Sequence, residues 1–225
     1  MISKLQYITT GSDAQTHIEK CRSFCEQAGD WVQLRMKNVS DEVYLNTALE
    51  CRRITEEYGA KLIINDNIQV AKNSNADGVH LGLNDESAYV AREVLGRKII
   101  GGTANTIEDV ILQVNAGVDY VGLGPFRFTN TKKKLSPILG LEGYKRILDK
   151  LKAEGINTPV VGIGGIDTED INPLLDTGLF GIAASGMIDR LIQENRLKDI
   201  TKNLVYEQAQ SRKYRIYFEI IYRNR

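Results

Sequence analysis

Gln33, Arg35 and Lys37 alternate with apolar residues at the end of a short hydrophobic run. Successive side chains of a β-strand point to opposite faces, so these three residues share one face and the apolar residues between them share the other. If the apolar face packs against helices, two cations and an amide point into an enclosed space, where an anionic ligand would stabilise them. The alternative interpretation is a strand end whose Arg and Lys side chains simply extend into water.

Two acidic residues follow the next apolar runs: Asp66 comes directly after Asn65, and Asp85 comes shortly after the segment 78–82. Mg²⁺ typically takes one or two carboxylates together with substrate phosphates, so this pair predicts a magnesium site. Each Asp also precedes a helical stretch, and helix capping is an equally open interpretation. We interpret His80, within the strand, as a structural histidine with satisfied hydrogen bonds.

The segment 122–134 is long, basic and rich in hydroxyl groups. Thr129, Thr131 and Lys132 are typical of a loop that wraps a diphosphate and closes over a reacting centre. We interpret the two lysines that follow, Lys133 and Lys134, as part of a solvated charged run.

Glycines follow the last two apolar runs, at Gly164-Gly165 and at Gly186 after Ala184-Ser185. Tight turns alone would explain single glycines. Two such loops in succession, however, indicate a phosphate site built from backbone N–H groups and a helix N-terminus.

These residues must be positioned by an alternating series of strands and helices. Short apolar runs predict strands over 5–8, 31–35, 61–64, 78–81, 98–102, 120–123, 160–163 and 181–184. Helical periodicity lies between them, for example over 41–58, 86–95, 106–116, 141–151 and 168–175. The first turn, 9–13, lacks the glycine pattern of a dinucleotide-binding open sheet. The sequence therefore predicts an α/β fold, a single-domain (β/α)₈ TIM barrel with its site on the loops after the strands.

Composition narrows the classes of partner. The chain has 29 Lys and Arg against 29 Asp and Glu, so no overall positive field attracts nucleic acid or an anionic membrane. The N-terminal residues carry no apolar signal core and no segment approaches a membrane span, so we expect a cytoplasmic protein. Three cysteines, Cys21, Cys25 and Cys51, lack nearby ligands and are predicted to be packing residues.

Taken in order, these motifs resemble the thiamine phosphate synthase family. The resemblance runs from about Leu5 to about Ile188 and is carried by Gln33-x-Arg35-x-Lys37, Asn65-Asp66, 78–82 with Asp85, Gly124-Pro125 with Thr129-x-Thr131-Lys132, and Gly164-Gly165-Ile166. It implies a transferase that joins a pyrimidine pyrophosphate to a thiazole phosphate with Mg²⁺. Two alternatives remain open: a thiazole tautomerase and a non-catalytic barrel that binds phosphate ligands.

The resemblance also implies a role for each site residue. Pyrophosphate would be held by Arg35, Lys37, Asn65 and Lys132, of which Arg35, Lys37 and Lys132 would be catalytic. Asp66 and Asp85 would hold Mg²⁺, and Gln33 and Thr103 would lie beside the pyrimidine. The thiazole phosphate would be received by Thr129, Thr131, Gly165, Ala184 and Ser185.

The sequence departs from the family pattern at Leu83, where Gln is common, at Thr103, where Ser is usual, and at Asn105, where His is frequent. Thr103 keeps a hydroxyl, whereas the other two changes affect contacts with the pyrimidine. We expect the catalytic domain to cover 1–209. The basic, aromatic extension 210–225 has no assigned role, and a homodimer is a plausible assembly.

Overall fold

A computed structural model describes residues 2–128, 137–201 and 204. Eight parallel strands close into a barrel in chain order, which confirms the predicted (β/α)₈ fold. The strands are β1 (Leu5–Ile8), β2 (Trp31–Leu34), β3 (Lys61–Asn65), β4 (Gly78–Leu81), β5 (Ile99–Ala104), β6 (Tyr120–Leu123), β7 (Val160–Ile163) and β8 (Gly181–Ala184). Their bounds match the predicted runs within two residues.

Helices follow the strands around the outside of the barrel. They are α1 (Ala14–Glu26), α2 (Asp41–Glu57), α3 (Ile68–Asn73), α4 (Ala88–Leu95), α5 (Ile107–Asn115), α6 (Gly140–Ala153), α7 (Ile171–Asp176) and α8 (Gly186–Gln193). A short 3₁₀ turn, Thr168–Asp170, precedes α7 and begins at the predicted cap Asp167. Side chains of Asp13, Ser40, Asn67, Ser87 and Thr106 cap the first five helices.

The core has two layers, as expected for a barrel. A small inner cluster, which includes Trp31, Ile63 and Tyr120, fills the barrel, and a larger cluster lies between the strands and the helices. All three cysteines are buried in the outer layer as free thiols, which confirms their prediction as packing residues.

The amino-terminal end of the barrel is held by ion pairs that also contact the backbone. Arg92 on α4 donates to the carbonyls of Gly96 and Lys98, each at 2.8 Å, and pairs with Asp119 at 2.8 Å. The Asp119 carboxylate accepts the N–H of Ile100 on β5 at 2.7 Å. This end of the barrel is therefore held by local polar contacts, far from the loops that follow the strands.

Candidate active site

Gln33 and Asn65 form a polar pair inside the carboxyl-terminal end of the barrel. They are 2% and 6% exposed, and Nε2 of Gln33 donates to Oδ1 of Asn65 at 2.8 Å. Oε1 of Gln33 has no hydrogen-bond partner among the described residues. A buried acceptor without a partner costs free energy, about 1–3 kcal/mol, so this oxygen is suited to a ligand N–H group.

The apolar residues that alternate with Gln33 pack outward. Val32, Leu34 and Met36 all belong to the cluster between strands and helices, as the sequence pattern predicted. The Lys37 side chain is 55% exposed at the rim, and its Nζ lies 3.8 Å from Oδ2 of Asp66. Gln33 thus points into the barrel, whereas Lys37 lies at the rim and reaches water.

Tyr44, on α2, fixes the ends of β2 and β3. Its hydroxyl lies 2.8 Å from the carbonyl oxygens of both Leu34 and Asn65, and it accepts the N–H of Asn65 at 3.2 Å. Burial raises the pKa of this phenol, so it stays protonated at neutral pH. No sequence motif pointed to Tyr44, because its partners are defined only once the helix packs on the strands.

Asp66 and Asp85 come together, as the metal-site interpretation required. Burial, together with a hydrogen bond to the Asp85 carboxyl and its charge, raises the pKa of Asp66 to about 6. Oδ2 of Asp85 also accepts the N–H of Gly82 at 2.6 Å. Two carboxyl groups held this close repel each other when both are ionised, and a divalent cation would relieve that repulsion.

The capping interpretation of these two residues is wrong. The side chain that caps α3 is Asn67, one residue after Asp66, and the side chain that caps α4 is Ser87, two residues after Asp85. Asp66 instead has a left-handed backbone with φ of 66°, which a non-glycine residue seldom adopts. The two carboxylates are therefore free of capping and directed towards each other.

Arg35 is positioned through its backbone. Its N–H donates to Oγ1 of the buried Thr9 at 3.2 Å, and the same hydroxyl lies 2.7 Å from Nδ1 of His17 on α1. Burial lowers the pKa of His17, which favours the neutral ring. Thr9 and His17 were missed at the level of the sequence, because neither belongs to a recognisable motif.

Thr103 is held by a buried polar chain that crosses the barrel. His80 places Nε2 3.0 Å from the Thr103 hydroxyl and Nδ1 3.0 Å from the Tyr120 hydroxyl, and Gln6 donates to that phenol at 3.1 Å. The satisfied hydrogen bonds of His80 confirm its structural interpretation. They also orient Thr103, so His80 acts on the candidate site indirectly. Asn105 donates to the carbonyl of Gly124, which ties the loop after β5 to the loop after β6.

The glycines after β7 allow loops to approach closely. Gly164 and Gly165 have φ of 94° and 71°, in the left-handed region that favours glycine. A Cβ on Gly164 would lie 2.8 Å from Cβ of Pro125, so the loop after β6 packs directly on this turn. The loops after β6 and β7 are thus held together at this turn. Thr129, Thr131 and Lys132, which were predicted as site residues, lie outside the described residues.

The amino terminus of α8 opens at the same end of the barrel. Ser185 precedes the helix and makes no side-chain capping bond, unlike the residues that precede α1 to α5. The first N–H groups of a helix lack partners within it and form a region of partial positive charge. Ala184 ends β8 next to this helix, so Ala184 and Ser185 lie beside the first N–H groups of α8.

Comparison with known proteins identifies the family. Residues 5–188 match the family model of thiamine monophosphate synthase. The chain belongs to the thiamine monophosphate synthase family. Family membership makes it an enzyme, a transferase that acts on small molecules and forms thiamine phosphate, as the motifs implied.

Relatives with the same family name cover most of the chain. A thiamine-phosphate synthase of Flavobacterium johnsoniae is 51% identical over 189 residues, which are 84% of this chain and 89% of the relative. The corresponding protein of Bacteroides thetaiotaomicron is 49% identical over 187 residues, 83% of this chain and 90% of the relative. A solved thiamine phosphate pyrophosphorylase from Pyrococcus furiosus superposes with a TM-score of 0.77 at 29% identity, covering 89% of this chain and 96% of that chain.

The location of the site and the role of each residue stay predictions. The structure groups Gln33, Asn65, Asp66 and Asp85 on one side of the barrel, and Gly165 with Ser185 around β7 and β8. In the described part of the chain, no helix is both long and apolar enough to cross a membrane.

Proposed function

We propose that this chain condenses hydroxymethylpyrimidine pyrophosphate with a thiazole phosphate, 4-methyl-5-(2-phosphoethyl)thiazole, with Mg²⁺, to give thiamine phosphate and pyrophosphate. The observation that carries the proposal is the separation of two groups of candidate site residues across the barrel mouth. One lies on β2 to β4, around Arg35, Asn65 and the two Asp residues, and the other lies on β7 and β8. In a barrel of eight strands closed in chain order, β3 and β7 lie on opposite sides, so each substrate has its own region.

The pyrimidine fits between Gln33 and Thr103. The partnerless Oε1 of Gln33 accepts a hydrogen bond from an amino group on the ring, and Thr103 offers a hydroxyl held by His80. Oδ1 of Asn65 accepts a hydrogen bond from Gln33, so the N–H groups of the Asn65 amide donate to other acceptors. These acceptors are Asp66 and a phosphate oxygen.

The Asp66–Asp85 pair has the donor chemistry of a magnesium site. Both groups are hard oxygen donors, and burial together with the neighbouring Asp85 carboxyl raises the pKa of Asp66, so a bound cation would favour the ionised pair. No third His, Cys, Asp or Glu joins them within the described ranges, which suits a cation that takes its other ligands from phosphate oxygens and water. When bound, Mg²⁺ would neutralise charge on the pyrophosphate leaving group.

The residues of this chain bind and orient the two substrates and stabilise the charge that develops during the reaction. The bond between the pyrimidine methylene carbon and the pyrophosphate oxygen breaks, and both electrons leave with the pyrophosphate. Arg35, Lys37 and Lys132 stabilise the growing negative charge, while positive charge spreads over the aminopyrimidine. The thiazole nitrogen, held by its phosphate at Gly165 and Ser185, then forms the new bond to the methylene carbon. No protein nucleophile takes part.

An omission experiment tests the proposal. Purified protein is incubated with the pyrimidine pyrophosphate, the thiazole phosphate and Mg²⁺, and then with each component left out in turn. We expect thiamine phosphate only in the complete mixture. A parallel incubation supplies a thiazole carboxylate phosphate: its isomerisation without coupling would instead assign the tautomerase function, and binding of the substrates without turnover would assign the non-catalytic barrel.

A further inference from the structure

Arg127 lies near the start of the loop between β6 and α6. It hydrogen-bonds to both carbonyls of the Gly164-Gly165 turn. Its backbone N–H donates to the carbonyl of Gly164 at 2.9 Å, and its Nη1 donates to the carbonyl of Gly165 at 3.1 Å. Two successive peptide groups of the turn are thus bonded to the same residue.

The Arg127 side chain is itself fixed from two directions. It makes a bidentate ion pair with Asp170, with Nη1–Oδ2 and Nη2–Oδ1 distances of 2.5 and 2.6 Å. Its guanidinium lies over the Phe126 ring, with Cζ 4.7 Å from the centroid. The Asp170 side chain is 9% exposed and also accepts the N–H of Asp167 at 2.8 Å, so the pair is anchored on the turn before α7. The charge of Arg127 is therefore already neutralised by Asp170. The residue serves to fix the conformation of the Gly164-Gly165 turn.

The fixed carbonyls dictate where the N–H groups of the turn point. In a planar trans peptide, the C=O and the N–H point in opposite directions. Because the carbonyls of Gly164 and Gly165 point to Arg127, the N–H groups of Gly165 and Ile166 point away from it. Neither N–H has a hydrogen-bond partner in the part of the chain that the structure describes. A pair of glycines with left-handed φ is otherwise free to adopt many conformations, and holding it in one removes an entropic cost of binding.

We infer that Arg127, held by Asp170, is a positioning residue that orients the Gly165 and Ile166 N–H groups towards the thiazole phosphate. The inference rests on the proposed function and deepens it, since it assigns residues to only one of the two substrates. Arg127 does not touch that substrate. It acts through the turn.

Steady-state kinetics of Arg127→Gln, Arg127→Lys and Asp170→Asn test this role. We expect Arg127→Gln and Asp170→Asn to raise the KM for the thiazole phosphate by about tenfold or more, as loss of a charge-assisted bond implies. The KM for the pyrimidine pyrophosphate should stay within about twofold of wild type. Arg127→Lys should raise the KM for the thiazole phosphate less than Arg127→Gln does. A lysine ammonium group pairs with Asp170 but lacks the planar guanidinium that reaches Gly165 at the same time.

Arg92→Gln is the matched control. Arg92 also donates to backbone carbonyls, those of Gly96, Lys98 and Gly117, and to a carboxylate, but at the opposite end of the barrel. Its loss should lower the melting temperature and leave both KM values unchanged. The inference is overturned if Arg127→Gln changes both KM values equally, changes neither, or behaves like Arg92→Gln.

Calorimetry of thiazole phosphate binding separates this inference from the proposed function. Failure of the wild-type protein to make thiamine phosphate would contradict the proposed function alone. In that case, weaker binding of the thiazole phosphate to folded Arg127→Gln would still support the role of Arg127, and equal affinity would refute it.

Discussion

Gln33 and Asn65 are joined by a side-chain hydrogen bond of 2.8 Å between neighbouring strands. Oε1 of Gln33 has no partner among the described residues, and Asn65 hydrogen-bonds to Asp66 of the carboxylate pair. In the proposed function, the bond links pyrimidine recognition at Gln33 to pyrophosphate binding at Asn65. A change at Gln33 should therefore affect both pyrimidine recognition and the placement of the pyrophosphate.

Gln33→Glu should reduce kcat/KM for the pyrimidine pyrophosphate by about a hundredfold or more. The new carboxylate would face Oδ1 of Asn65, so two acceptors would meet where a donor and an acceptor meet now, at a cost of about 1–3 kcal/mol or more. Gln27→Glu is the control: that side chain also donates to a carbonyl, of Ile192, but it follows α1 at the other end of the barrel. Comparable losses of kcat/KM in both variants would rule out a specific role for Gln33.

Asp66→Asn and Asp85→Asn should each keep the fold and abolish most activity. Asn tolerates the left-handed backbone at position 66 better than most residues do, so the substitution adds little strain. It replaces a carboxylate with a neutral oxygen where Mg²⁺ needs charge. The double variant should be little worse than either single variant, because both residues act on one site.

Turnover and its Mg²⁺ dependence, measured together with melting temperature, check this prediction. Asp41→Asn is a nearby control, since Asp41 accepts a hydrogen bond from Asn67 at 3.1 Å on the exposed side of the cap. Wild-type turnover with unchanged Mg²⁺ dependence in a single variant would remove that Asp from the metal site.

The raised pKa of Asp66 predicts a pH dependence of stability. The folded protein keeps this proton up to a pH of about 6, whereas the unfolded chain releases it near pH 3.9. The free energy of unfolding should therefore fall as pH rises through this window, and the loss should persist above it. Without metal, Asp66→Asn should have a higher melting temperature than wild type at pH 7, with the difference vanishing near pH 4. Addition of Mg²⁺ should raise the melting temperature of the wild-type protein at pH 7. A variant less stable than wild type at pH 7 would contradict the prediction.

Lys132→Ala should lower kcat severely, whereas Lys133→Ala should change it little. Lys132 is the lysine that matches the family motif, and we expect its ammonium group to stabilise the leaving pyrophosphate. Lys133 is interpreted as part of a solvated charged run. Single-turnover rates of both variants at saturating substrates check this. Equal losses would mean that the general charge of the loop matters.

Local patterns predicted much of the barrel and of the candidate site. Period-two alternation correctly assigned Gln33 to the inner face and Leu34 to the outer layer, because that signal depends only on neighbouring residues. Capping was harder to assign. Asp66 looked like a cap of α3, but Asn67 takes that role because its backbone is extended and its side chain reaches Val70.

The residues that orient the site could not be read from the sequence. Arg127 and Asp170 are far apart along the chain, and their pairing depends on how the loops after β6 and β7 meet. Tyr44 likewise acts on strand ends that come together only in the closed barrel. Such contacts leave no periodic or motif signal, because either partner alone is an ordinary polar residue on a loop or helix.

The stoichiometry of the two products tests whether this chain couples its two substrates. Thiamine phosphate and pyrophosphate are quantified in the same reaction, with purified protein, both substrates and Mg²⁺. We expect one pyrophosphate for each thiamine phosphate throughout the time course, because a single bond cleavage leads to both products. Pyrophosphate release without thiamine phosphate would show hydrolysis instead of coupling, and would contradict the proposed function.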